Sequence, residues 1–296
     1  MKVMVIDGNS IINRAFYGVR DLRAPDGTPT NALFGFLNIL SRLTDEIGAD
    51  VIKVAFDVRE PTFRHKSYEG YKATRKGMPD ELAVQIPLMK EILENMGIEH
   101  LECPGFEADD ILGCISAECD RKNIPCVLVT GDKDSLQLIT ENTSVCLIKT
   151  RMGATETVLY TPEVFREEYG FEPLRLIDLK ALMGDSSDNY PGVPGIGEKT
   201  AMQLIQEYHT IDELYEKLPG APLRDSVRKK LQDGEGSARM SYELATIVKE
   251  VPVRIELEPE GEAIRYGSGL YELFRRLGFQ KLIEKYGLEP AGTGAE

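Results

Sequence analysis

Long apolar runs are absent from this 296-residue chain, and none approaches the roughly 18 residues that would cross a membrane. The amino terminus passes from the apolar burst of residues 3–6 straight into Asp7, without the apolar core and cleavage site of a secretion signal. Cysteine is scarce. The five residues Cys103, Cys114, Cys119, Cys126 and Cys146 include no CxxC pair, which argues against a disulfide framework or a zinc cage and fits reduced thiols in a cytoplasmic protein. Internal repeats and low-complexity segments are also missing. Positive charge is in deficit: 35 Lys and Arg stand against 49 Asp and Glu, a formal net charge of −14, the opposite of what phosphate contacts ask of a nucleic-acid binder. What remains is ordinary globular material. A hydrophobic content of 42% rules out wholesale disorder, and the length suits one large domain or a core with a smaller appendix.

Short β-branched or apolar runs at 3–6, 51–56, 126–129 and 145–148 read as buried strands. Helical patterns at 32–47, 81–96 and 108–121 lie between them, so the fold class is α/β, a mostly parallel central sheet flanked by helices. From about Pro162 the strands nearly vanish. Helical patterns follow at 173–183, 198–208, 211–218, 237–249 and 270–286, which predicts an all-helical second subdomain. The division is residues 1–165 and 166–288, with 289–296 a flexible tail or linker.

Carboxylates fall where this arrangement makes them useful. Asp7 ends the first apolar run, Asp57 follows the second, and Asp132 and Asp134 follow the run at 126–129. In an open parallel sheet the carboxyl ends of the strands form the ligand crevice. Glu107, Asp109 and Asp110 open a helix, and Asp185 and Asp188 lie at the start of the helical region. Each alone could be a cap or turn residue, but caps have no reason to recur at one sheet edge. Two carboxylates 4 Å apart repel by about 4 kcal/mol at an effective dielectric of 20, so such a cluster needs cations among it or some protonated members. Oxygen ligands without His or Cys favour Mg²⁺ or Mn²⁺, and a surplus of them suggests a two-metal site acting on phosphate esters.

Two basic elements complement the acids. Residues 59–76 carry Arg59, Arg64, Lys66, Lys72, Arg75 and Lys76 against Glu60 and Glu69, interleaved with Phe63, His65, Tyr68 and Tyr71. Such alternation suits a single-stranded nucleic acid, or else a solvated surface segment. The second element runs from Gly192 through Gly195 and Gly197 to Lys199, Thr200 and Ala201. Its glycines open a helix and its lysine adds charge, which is a phosphate-binding pattern or a plain helix–helix turn. Continued by apolar Met202, Leu204 and Ile205, it matches a helix-hairpin-helix, here at 184–208, which grips DNA backbone without reading sequence.

Taken in order, Ile6-Asp7-Gly8-Asn9-Ser10, Phe56-Asp57 with Thr62-Phe63-Arg64, Glu107-Ala108-Asp109-Asp110, Thr130-Gly131-Asp132-Lys133-Asp134 and Gly184-Asp185-Ser186-Ser187-Asp188-Asn189 resemble the motifs of the 5′ nuclease family, the flap endonuclease relatives. The likeness, over about residues 1–288, is nearest to the amino-terminal 5′–3′ exonuclease domains of bacterial DNA polymerases I. It implies a PIN-like 5′ nuclease fold with a helix-hairpin-helix (H3TH) subdomain. One metal would be held by Asp7, Asp57, Glu107, Asp109 and Asp110, and a second by Asp109, Asp132, Asp134, Asp185 and Asp188, with a third as an option. It also implies a helical arch at about 59–80, whose Arg64, Lys72 and Arg75 act on the scissile phosphate and, with Tyr71, bind DNA. The hairpin residues Gly192, Gly195, Gly197, Lys199 and Thr200 would hold the duplex, with a K⁺ at the hairpin.

The implied activity is two-metal hydrolysis of DNA at a 5′ flap, nick or RNA primer end, for primer and flap removal in replication and repair. The implied setting is a bacterial, cytoplasmic, nucleoid-associated monomer, away from membranes, either a polymerase fragment or a stand-alone nuclease. The other class of reading is a non-catalytic DNA-binding module of the same fold. One position departs from the family: where an aromatic often follows the first Asp by six residues this chain has Asn13, with Phe16 and Tyr17 close behind.

Overall fold

The computed structural model describes residues 1–151, 154–259 and 261–290. Most of the expected tail at 289–296 lies outside them. The sheet has six strands: β1 (Val3–Asp7), β2 (Val51–Ala55), β3 (Glu99–Leu101), β4 (Cys126–Thr130), β5 (Thr143–Arg151) and β6 (Ala154–Tyr160). Their order is β3-β2-β1-β4-β5-β6, parallel throughout except for β6, which runs antiparallel to β5.

The central strand β1 is buried at all five positions because helices cover both faces, which is why it reads as a continuous apolar run. Period-two alternation then sorts its side chains. Val3 and Val5 join one core with Leu128, Leu147 and the helix Ala108–Lys122; Met4 and Ile6 join the other with Phe36, Val54 and Ile92. The strands absent from the sequence reading, β3 and β6, are the two sheet edges. Edge strands can stay short and polar, so Glu99-His100-Leu101 shows no apolar run to detect.

Four helical expectations need correction. The 237–249 helix begins twelve residues earlier, as Asp225–Ala245. Gly234, which reads as a breaker, sits in it because a Cβ there would come within 2.8 Å of the Val193 side chain. The 270–286 helix is two, Gly269–Leu277 and Gln280–Tyr286, parted at Gly278 in the left-handed region (φ 76°). These two leave the helical subdomain and return to the far face of the sheet, where Phe274 and Phe279 pack with Phe34, Phe36 and Ile92. The arch at 59–80 is not helical over its length: it holds one five-residue helix, Phe63–Ser67, followed by turns.

Candidate active site

The parallel strands deliver their carboxylates as expected. Asp7 is the last residue of β1, Asp57 and Asp132 lie just past β2 and β4, and Glu107 caps the helix Ala108–Lys122 after β3. Asp7, Asp57, Glu107, Asp109 and Asp132 line one cleft of about 510 Å³, with Lys72 and Arg75 on its rim. Gly8 is small because a Cβ would meet the Phe56 ring at 2.5 Å, so β1 passes directly into the helix Gly8–Gly18, which walls the cleft.

The electrostatics of this floor are unbalanced. Asp7 accepts from Ser10 N (2.9 Å) and Thr130 Oγ1 (2.9 Å), yet burial, with Asp57 and Asp132 adding repulsion, pushes its carboxyl up to about 7. Asp57 is raised as well, by partial desolvation at the cleft wall with Glu107 adding repulsion, although the residue is exposed at the cleft mouth and accepts from Ala108 N at 2.7 Å. Asp109 is raised too: burial comes first, then Asp110 and Glu107, with Arg64 and Lys72 only partly offsetting them. Its Oδ1 is buried without any hydrogen-bond partner. An orphaned carboxylate oxygen amid carboxylates, with oxygen donors only, fits a hard divalent cation.

The remaining acids are held by the protein's own cations, and among the described residues no three acidic, His or Cys side chains close into a ready-made cage. Glu107 takes Lys72 on Oε1 and Arg64 and Tyr71 on Oε2; burial works against its charge, and Lys72 and Arg64 outweigh this to hold it below the usual carboxylate range. Asp188 pairs with Arg75 and accepts from Tyr71 at 3.2 Å. Lys180 joins Asp134 and Asp185, neither of which lines the cleft.

Three more expected site residues stand outside the cleft. Asp110 is fully buried; both its oxygens accept from Arg64, at 2.7 and 2.8 Å, and it also receives Glu107 N and Val248 N, so it does not face the cleft. Arg64, 2% exposed, spends its remaining donors on the carbonyls of Leu244 and Thr246, which leaves none for DNA. Tyr71 is 3% exposed, with its hydroxyl on Glu107 and Asp188, and offers no face for base stacking. These three fasten the basic segment to the body. Lys72, in the left-handed region (φ 54°), is fixed there by its amide on Asp188 O at 2.8 Å.

In the hairpin, Gly195, Gly197 and Lys199 are exposed and Thr200 is half-buried, with Gly197 capping the helix Glu198–Tyr208. Gly192 turns inward instead: its amide donates to Ser241 Oγ at 3.0 Å, and a Cβ there would lie 2.2 Å from Gly184 N. The carbonyls of Gly192 and Gly195 accept from Ser237 and from Lys230 (3.0 Å).

The residues missed by sequence reasoning are Ser10 and Arg14, which line the cleft from the helix Gly8–Gly18 beside Tyr17, and Lys180. A signal for the first two existed: apolar Ile11, Ile12 and Ala15 face the core, and 10, 14 and 17 recur on the other side. For Lys180 it was one lysine inside the apolar helix Leu176–Met183.

Asp7 yields a pH prediction. Its folded pKa near 7 lies above the ordinary 3.8, so its contribution is intact below about pH 4 and is lost as pH rises through 7. In EDTA, Asp7→Asn should therefore gain on the parent in melting temperature between pH 5 and 8, by several degrees and at most roughly 4 kcal/mol. Mg²⁺ should reverse the order. A gap that is flat with pH would contradict the assignment.

The family model for the "5′-3′ exonuclease, N-terminal resolvase-like domain" matches residues 2–170, and that for the "5′-3′ exonuclease, C-terminal SAM fold" matches 171–263. DNA polymerase I of Caldicellulosiruptor bescii is 41% identical over 288 residues, 97% of this chain and 34% of that protein. DNA polymerase I of Bacillus subtilis is 37% identical over 98% of the chain and 33% of its own length. The chain thus spans about a third of these curated relatives. Among solved structures, the T5 D15 protein co-crystallised with metal ions superposes with a TM-score of 0.68 at 18% identity, over 97% of both chains. The catalytic core of Rad2 in complex with DNA substrate gives 0.63 at 19%, over 96% and 91%. At such identities these two share the fold. The chain belongs to the 5′–3′ exonuclease family.

Proposed function

We propose that this chain is a Mg²⁺- or Mn²⁺-dependent, structure-specific 5′ nuclease acting on DNA with a 5′ flap, nick or RNA primer end. The observation that carries the reading is the cleft in which Asp7, Asp57, Asp109 and Asp132 converge beneath Lys72 and Arg75, with the Asp109 Oδ1 orphaned. When bound, divalent ions would activate the attacking water and neutralise the leaving oxygen. Asp7, Asp57, Asp109 and Asp132 would hold one ion with Glu107 beside it, and Asp134, Asp185 and Asp188 are the donors for a second or third. Lys72 and Arg75, occupied by Glu107 and Asp188 in the free chain, would turn to the scissile phosphate and stabilise its developing charge.

Tyr17 takes the stacking role that Asn13 cannot. It is 73% exposed on the cleft wall, while half-buried Phe16 packs edge-on against it at 5.1 Å and braces it from the core side. Gly195, Gly197, Lys199 and Thr200, joined by Lys230, would grip the duplex backbone. A K⁺ at the hairpin would share carbonyls with Ser237 and Lys230, so it adds to the grip and is not its basis. The setting would be a bacterial cytoplasm, with the chain a monomer or linked to a polymerase domain in the full-length protein. No helix among the described residues is long and apolar enough to cross a membrane.

The test is a 5′-labelled flap DNA incubated with the chain in Mg²⁺ or in EDTA. Release of a short 5′-phosphorylated product in Mg²⁺ alone is expected. Binding without any EDTA-sensitive product would favour the non-catalytic module.

A further inference from the structure

Lys180 is the one basic residue of the helix Leu176–Met183, and its side chain is 14% exposed. The ammonium lies 2.6 Å from Asp134 Oδ1 and is hydrogen-bonded to Asp185 Oδ2, so it bridges carboxylates from two different elements. The backbone around both partners is fixed independently of it. Asp185 Oδ1 accepts from Ser187 N and Asp188 N, and Asp134 follows Asp132 into a short 3₁₀ turn, with its amide on Asp132 Oδ1 at 2.9 Å. Lys180 therefore sits in an anionic gap between two segments built without it and holds their carboxylates there.

A second observation shows that the gap is not self-sufficient. The Tyr190 ring is 3% exposed, and its hydroxyl is buried without a hydrogen-bond partner in the field of Asp134, Asp185, Asp188 and Asp132. A hydrated cation would supply that missing partner, which the Lys180 ammonium, spent on Asp134 and Asp185, does not.

We propose that Lys180 is a built-in counter-ion of the nuclease centre: its ammonium holds Asp134 and Asp185 where a second divalent ion would bind, so that this ion enters only by displacing it. The inference rests on the nuclease reading above. The two halves of the centre then differ in kind. Asp109 has an oxygen with no protein partner and takes the first ion directly. Asp134 and Asp185 are already served by a tethered single charge whose effective concentration is of millimolar order or more, which lowers the apparent affinity of the second ion. A lysine suits this role because its flexible stem can withdraw a compact ammonium without moving the backbone. Lys180 is thus a positioning residue, keeping the second carboxylate pair in place until metal arrives.

The experiment titrates the full chain with Mn²⁺ alone, free ion being read by electron paramagnetic resonance. The parent should bind one ion at least tenfold more tightly than the next. In Lys180→Met the weaker ion should tighten by at least tenfold, and Lys180→Arg, which keeps the charge, should not tighten it. A second-ion affinity unchanged or lost in Lys180→Met overturns the proposal, whereas a parent that binds no Mn²⁺ overturns the nuclease reading itself. A check free of variants in the measured protein is ¹⁵N NMR of the lysine ammonium groups, with the Lys180 signal assigned by its loss in Lys180→Arg. It should persist through the first equivalent of Mg²⁺ and change with the second. A signal that responds to the first equivalent, or never responds, contradicts displacement.

Discussion

Asp109→Asn is expected to cut cleavage of a 5′-flap substrate at least about a thousandfold, roughly 4 kcal/mol of transition-state stabilisation, while making the metal-free protein more stable. The two effects share one cause. The Asp109 side chain is half-buried beside Asp110 and Glu107, and one of its oxygens is buried without a partner, so the charge is costly until a cation meets it. An amide removes the charge and, with it, the ligand. Turnover on flap DNA and melting temperature in EDTA are the measurements, with DNA affinity in Ca²⁺ expected to change only a few-fold. Asp132→Asn should lose cleavage comparably without gaining stability, because Asp132 is exposed. If Asp109→Asn lost activity and stability together, the residue would be structural and the assignment wrong.

The second large effect is on folding. Arg64→Ala should destabilise the chain by about 3–5 kcal/mol, the cost of stripping the partner from a buried charge. The stranded group is Asp110, fully buried, and the carbonyls of Leu244 and Thr246 lose their donor as well. Urea unfolding measures it. Arg64→Met with Asp110→Leu should recover only part of the loss, since Glu107 N and Val248 N would still lack the acceptor that Asp110 provides. The reading of Arg64 as a DNA contact predicts the reverse: weaker flap binding at unchanged stability.

That reversal shows where the sequence was legible. The carboxylates at Asp7, Asp57 and Asp132 could be placed because a buried parallel strand is a short apolar run and its end is therefore visible. Glu107 and Asp109 followed from the helix start. Helix periodicity puts Asp110, and not Asp109, on the face of Glu107, whereas the packing of residues 244–248 against the helix Ala108–Lys122 turns Asp110 away from the cleft. Composition likewise made 59–76 look like a basic, aromatic-laced segment open to single-stranded nucleic acid. Long-range pairs such as Arg64–Asp110 and Tyr71–Glu107 bury half of its character, and no local pattern records a partner 36 or 46 residues away. Lys180 was hidden for the same reason: its partners come from the turn after β4 and from the loop after its own helix. The edge strands β3 and β6 escaped because a sheet edge needs little apolar surface.

The measurement that bears most directly on the account is anomalous scattering from crystals of the chain soaked in Mn²⁺. The account predicts a manganese peak in the cleft, bonded at about 2.2 Å to the Asp109 carboxylate and shared with Asp7, Asp57 or Asp132. A cleft without a peak at saturating Mn²⁺, or manganese bound only elsewhere on the surface, would contradict it.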